Sequence, residues 1–170
     1  MRGIATSLVV VMLCGCASTA NKPEPLEAVL KKGTRFTIAK PINRDPFNRA
    51  IYFQDGNLHS WWDPDAWQTL CRLRVGHGVN SDSLMGSIYE VTSVSSSSTQ
   101  NSDLAQGAGI SLDLRTISGA SAENLRCDLW YDLTSSPIDA YVTLEDFEDA
   151  VGAYIKILGD ETAPDAKQDR

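Results

Sequence analysis

Leu70-Cys71-Arg72-Leu73-Arg74-Val75 and Leu125-Arg126-Cys127-Asp128-Leu129-Trp130-Tyr131 are the two stretches whose reading decides the fold. In the first, Cys71, Leu73 and Val75 fall on one side of an extended chain and Arg72 and Arg74 on the other. In the second, Leu125, Cys127, Leu129 and Tyr131 share a side. Side chains of a strand alternate between faces, so each stretch predicts a half-buried strand with its apolar face toward a core. A cysteine stands on the inward face of both.

Working outward, residues 34–39 alternate around Phe36 and Ile38, and residues 50–54 set Ile51 and Phe53 against Tyr52. Asp55-Gly56 follows at once, a pair that favours positive φ and predicts a hairpin returning through Leu58. Residues 87–94 and 110–117 alternate more weakly. Between them, Ser95-Ser96-Ser97-Ser98-Thr99-Gln100-Asn101-Ser102 is too polar to pack and predicts a mobile loop.

Near the end of the chain the period changes from two to that of a helix, with Leu144, Phe147, Val151 and Tyr154 recurring at helical spacing. Thr143, three residues before Asp146, suits an N-cap, and Glu145, Asp146 and Glu148 suit the positive end of the helix dipole. Residues 155–158 read as a last short strand or a helix exit. The fold class expected is α+β, mainly an antiparallel β-sheet domain with one C-terminal helix.

With 170 residues and 42% apolar content the chain supports one modest core, and one domain is expected over residues 34–158. It carries 15 Lys plus Arg against 22 Asp plus Glu, a net charge of −7. Loss of the first fifteen residues, whose only charged side chain is Arg2, makes this −8. Such a chain is repelled by phosphate backbones, so no nucleic-acid partner is expected.

The amino terminus has a different character. Met1-Arg2-Gly3 supplies one positive charge, and residues 4–13 are apolar apart from Thr6 and Ser7, the length of an export leader and too short to span a bilayer. The run closes in Leu13-Cys14-Gly15-Cys16, which resembles the lipobox of bacterial lipoprotein signal peptides: an aliphatic residue at −3, a small one at −1, then Cys. Cys14 fits poorly as the modified residue, because Leu13 would then occupy the small-residue position.

The resemblance implies that residues 1–15 are removed and that Cys16 is acylated on sulfur and nitrogen. The membrane is then a partner through those acyl chains, each buried methylene contributing about 0.8 kcal/mol. Ala17, in place of the aspartate that favours inner-membrane retention in this family, implies the periplasmic face of the outer membrane. A conventional cleaved leader releasing a soluble periplasmic protein is the alternative. Residues 16–33 then read as the lipidated Cys and a flexible tether, rich in small, polar and proline residues, with a short helical turn over residues 26–32 stopped by Gly33. Residues 159–170 read as a disordered acidic tail.

Once Cys14 is removed and Cys16 acylated, Cys71 and Cys127 are the remaining thiols, and an exported domain meets an oxidising compartment. A Cys71–Cys127 disulfide stapling two strands is expected. The wide spacing does not match a redox-active C-x-x-C, and with His59 and His77 scattered there is no zinc-ligand pattern.

The most unusual composition is His59-Ser60-Trp61-Trp62-Asp63-Pro64-Asp65-Ala66-Trp67, which holds three of the four tryptophans. Trp61, Trp62 and Trp67 could stack on sugar faces while Asp63 and Asp65 accept hydroxyl hydrogen bonds. The plainer reading has Trp61 and Trp67 covering one end of the core above a turn at Asp63-Pro64-Asp65. Glycosidase chemistry needs carboxylates on opposite sides of a sugar, which this spacing rarely delivers. Glu145, Asp146, Glu148 and Asp149 lie on a predicted helix without a glycine-centred loop, so calcium is not expected.

No G-x-S-x-G, G-x-x-x-x-G-K, G-x-G-x-x-G or H-E-x-x-H occurs, and no cofactor or metal is expected. The body also resembles small uncharacterised proteobacterial lipoproteins, in Tyr52-Phe53-Gln54-Asp55-Gly56 leading to Cys71-Arg72-Leu73 and in Cys127 followed by residues 143–152. That likeness implies no activity. The expectation is a lipid-anchored envelope protein acting as a noncatalytic interaction or accessory factor with an envelope protein partner. A glycan or small-ligand binding module built on the tryptophans is the alternative, and a hydrolase using His59 or His77 comes third.

Overall fold

The computed structural model describes residues 23–43, 48–59, 65, 67–102, 105–132 and 141–159. In chain order, helix α1 (Leu26–Val29) precedes strands β1 (Arg35–Ile38), β2 (Ala50–Gln54), β3 (Asn57–His59), β4 (Leu70–Val75), β5 (Ile88–Ser102), β6 (Ala105–Ser118) and β7 (Ala122–Asp132). Helix α2 (Leu144–Val151) and strand β8 (Ile155–Leu158) follow. The strands form one curled antiparallel sheet in the order β3-β2-β4-β7-β6-β5-β1-β8.

The two alternating stretches lie side by side at its centre. Cys71 pairs with Cys127 and Leu73 with Leu125 across β4 and β7, and the same rows continue to Ile110 and Leu112 on β6. All six side chains are buried. Burying a leucine or isoleucine side chain stabilises by about 1.5–3 kcal/mol, so these adjacent rows supply much of the driving force. The expected disulfide joins Cys71 to Cys127, with their Cα atoms 4.0 Å apart.

Asp55 and Gly56 both adopt positive φ, 51° and 66°, and turn β2 into β3 as their dipeptide predicts. Helix α2 begins with a reciprocal cap. The Thr143 hydroxyl accepts from the Asp146 amide, and the Asp146 carboxylate accepts from the Thr143 amide. Phe147, Ala150 and Val151 are buried, and the helix packs on β2 and β4. Residues 155–158 resolve as a strand, paired with β1.

The end of α2 joins the two margins of the sheet. The Gly56 amide donates to the Ala150 carbonyl, while the Ala39 amide, just past β1, donates to the Tyr154 carbonyl. The Tyr154 ring lies 5.8 Å from that of Phe53 on β2, with Lys40 Nζ 5.6 Å from its centroid.

Two expectations are corrected. Residues 95–102 do not form a loop: they extend β5, with Ser95 opposite Ser111, Ser98 opposite Ala108 and Gln100 opposite Gln106. Backbone pairing with β6 holds them, and because Ser95, Ser96, Ser97 and Ser98 are all exposed, the segment shows no apolar pattern. The flexible tether is also shorter than residues 16–33, since Leu26 and Leu30 are fully buried and the Leu26 amide donates to the Val142 carbonyl. Pro25 forms an isolated bridge with Thr143, and the Glu24 and Pro23 carbonyls accept from the Leu144 amide and the Tyr141 hydroxyl, so the chain is tied to the body from Pro23 on, and residues 16–22 lie outside the described residues.

Candidate functional site

Gln54 is the last residue of β2 and, by alternation with Phe53, should point away from the core into solvent. Instead it is 1% exposed, because its side-chain amide bonds to the backbone of Asp65 and Gln68. Its Nε2 donates to the Asp65 carbonyl at 2.7 Å and the Gln68 carbonyl at 3.2 Å, and its Oε1 accepts from the Asp65 amide at 2.8 Å. Both donors of the buried amide are used, and so is its acceptor, as a buried polar group requires.

The turn so fixed carries Trp67. Asp65 Oδ1 accepts from the Trp67 amide at 3.0 Å, and the Gln68 amide donates to the Asp65 carbonyl at 3.3 Å, a side-chain-closed turn. The Trp67 side chain is not packed over the end of the core, as the plainer reading had it, but is 59% exposed. Asp65 does serve the turn. Trp61, Trp62 and Asp63 lie outside the described residues, as does Cys16.

Beside Trp67 opens a cleft of about 220 Å³ lined by Asp55, Gln68, Thr69, Leu129, Asp146, Asp149 and Ala150. Ligand pockets for whole drug-sized molecules run from roughly 300 to 1,000 Å³, so this one suits a single ring or side chain. Leu129 and Ala150 give it an apolar floor, while Asp55 comes from the β2–β3 turn and Asp146 and Asp149 from α2. The bond from Gly56 to Ala150 ties that turn to that helix, which is why carboxylates distant in sequence share one cleft. No ion pair among the described residues uses Asp55, Asp146 or Asp149.

The paired charges lie elsewhere, on the outer face of the sheet. Glu90 sits between Arg35 and Arg115, and the hydrogen bond from Arg35, reinforced by Arg115, holds its carboxyl below the usual range. Glu123 meets Arg49 and Arg74, and Asp128 meets Arg126. Trp130 is half-buried against Gly107 across the β6–β7 pair. A second cleft, between α1 and the serines of β5, has its Glu27 carboxylate bonded to the Ser96 hydroxyl.

His59 and His77 are not brought together. His59 shares a row with Tyr52 and Arg72, whereas His77 lies in the turn beyond the end of β4, five residues past Arg72. Neither lines the cleft beside Trp67. Among the described residues no group of three His, Cys, Asp or Glu side chains could hold a metal ion. No helix among them is long and apolar enough to cross a membrane.

Sequence reasoning found Trp67 and Asp65 but not the groups around them. Asp55 reads only as a turn former, Asp146 and Asp149 as acidic residues of a predicted helix, and Gln54 only as the end of a strand. Their meeting is a product of topology. No protein-family model, curated protein or solved structure matches this chain.

Proposed function

We propose that this chain is a lipid-anchored protein of the bacterial cell envelope whose folded body is a noncatalytic binding module, with Trp67 as the stacking surface for a hydroxyl-rich ligand such as an envelope glycan. The anchor rests on Leu13-Cys14-Gly15-Cys16, and the placement at the outer membrane on Ala17. The accessory role follows from them: a module held at the envelope by its own lipid acts on what lies within reach of its tether.

One observation carries the binding reading. Trp67 is 59% exposed on a turn that a fully buried glutamine pins by three hydrogen bonds. Tryptophan offers on the order of 200 Å² of apolar surface, and leaving more than half of it in water forgoes about 3 kcal/mol of burial. With the backbone of its turn already fixed, Trp67 has only side-chain freedom left to lose when a sugar face stacks on it. The separation of His59 from His77 supports a noncatalytic role over hydrolysis.

Two measurements test this. Mature protein from its native host should carry acyl mass at Cys16, and unmodified Cys16 defeats the anchor. Envelope glycan fragments should quench tryptophan emission in the parent protein and in Trp130→Phe but not in Trp67→Ala. Emission that no glycan alters rejects the ligand.

A further inference from the structure

The sheet leaves one long edge open. Pairing with β1 ends at Glu90, and Gly33 and Thr34 bond Val91; past that point no backbone hydrogen bond among the described residues reaches the side of β5 away from β6. Bulges fall at Val91/Ser93 and Gln100/Ser102, so the stretch between them runs as regular strand. Open edges recruit further strands, and proteins guard them with charge, proline, bulges or shortness. The strands at the ends of the sheet are guarded in this way, β3 being three residues long and β8 four with Lys156 among them. Residues 91–102 hold no charged residue and no proline. We propose that this edge is an interface between two copies of the chain, which pair antiparallel along β5 and join their sheets.

The space beside the edge admits a strand. A cleft of about 610 Å³ separates Thr92, Ser93 and Val94 from Ala28, Lys31 and Lys32 in the segment before β1, and Ser95, Ser96, Ser97 and Ser98 are all exposed. Glu27 approaches from the inner side of the sheet, its carboxylate bonded to Ser96, whose cross-strand partner Ile110 is buried.

The composition of the edge favours a second copy over a foreign strand. A strand from another protein is selected by pockets for its alternate side chains, and a run of serines supplies none. The run is complementary to itself. Antiparallel pairing about a two-fold axis, with Ser97 opposite its own copy, sets Ser96 against Ser98, and small hydroxyl side chains pair well across strands. A chain of net charge −7 repels its own copies over most of its surface, and an uncharged edge is where two copies meet at least electrostatic cost. Lys31 and Lys32 stand at the Thr92 end, so the same axis keeps those of the two copies apart. Strands β6 and β7 separate this edge from β4 and the Trp67 turn, so the pairing does not depend on glycan binding.

The test is crosslinking in intact cells with a short bifunctional thiol reagent, which suits a contact at the small end of protein interfaces. Ser95→Cys and Ser97→Cys each place a thiol on the edge, and Glu148→Cys places one on the exposed side of α2. The expected result is a product of twice the chain's mass from both edge variants and none from Glu148→Cys. In the Ser97→Cys background, Ser95→Lys/Ser98→Lys sets like charges face to face and should lower the dimer yield about tenfold, with the urea midpoint unchanged. Producing that variant together with a Ser95→Asp/Ser98→Asp counterpart should restore the yield in the mixed pair.

No dimer from either edge variant, or as much from Glu148→Cys, overturns the interface. A crosslinked product of another mass puts a different chain on the edge and rejects the second copy. A yield that the lysines leave unchanged rules out strand pairing as its cause.

Discussion

Gly152 meets Gly56 so closely that a β-carbon on Gly152 would stand 2.7 Å from the Gly56 Cα. This contact seats the end of α2 against the β2–β3 turn, and with it Asp149 near Asp55. Gly152 also holds φ 51° with ψ −132°, a conformation that favours glycine. Gly152→Ala should therefore cost at least about 2 kcal/mol, from backbone strain and the clash together. A urea titration reads this as a lower midpoint with unchanged slope, and an unaltered midpoint would show that the junction yields freely.

The Cys71–Cys127 bond closes a long loop between the two central strands. In the chain-entropy model a crosslink across a separation of 56 residues stabilises by about 4 kcal/mol, a large share of the total for a domain of this size. The Cys71→Ala/Cys127→Ala variant should lose stability on that scale. Mass spectrometry of the nonreduced protein should find no free thiol at either position.

Gln54→Leu keeps most of the side-chain volume and removes all three bonds to residues 65 and 68. The Asp65 amide and the carbonyls of Asp65 and Gln68, both exposed residues, must then turn to water, at a net cost of about 0.5–1.5 kcal/mol per bond lost. The turn should loosen, and the indole of Trp67 should move faster. Time-resolved fluorescence anisotropy should show this, together with weaker ligand binding in a protein that still folds.

Glu90 sets the sign of one pH effect. Its folded-state carboxyl titrates below the unfolded one because Arg35 and Arg115 bond its charged form. The stabilisation is therefore present above the unfolded pKa and is lost as pH falls through the lower, folded value. Glu90→Gln should lower stability at neutral pH and leave it little changed at acid pH, so that the acid limb of a stability-against-pH profile flattens. An acid limb identical to that of the parent protein would remove Glu90 as its source.

How much of this was legible in the residues follows from where each constraint resides. Strands β4 and β7 are visible because two-residue alternation is local, and so are the Asp55-Gly56 turn and the Thr143 cap, which concern neighbouring residues. Cys71 and Cys127 are paired by elimination and compartment. Residues 95–102 mislead because what orders them is backbone bonding to residues 105–111, and their serines report only exposure. Leu26 and Leu30 mislead for a related reason: two apolar residues beside a proline-rich stretch show no period, and only the surface they fill gives them meaning. At the site, Trp67 stood out by composition, while the cleft beside it brings together a turn, a loop and a helix from distant parts of the chain.

The central claim is that Trp67 and the cleft beside it bind a glycan. Proton–nitrogen correlation spectra resolve each of the four tryptophan indoles as a separate signal, so adding a glucosamine oligosaccharide asks which one responds. The account predicts that the Trp67 indole signal and the amides of Asp55, Thr69 and Asp149 shift together and saturably, while the signal of Trp130 stays in place. Spectra in which the Trp67 signal holds still as the oligosaccharide is added would contradict it.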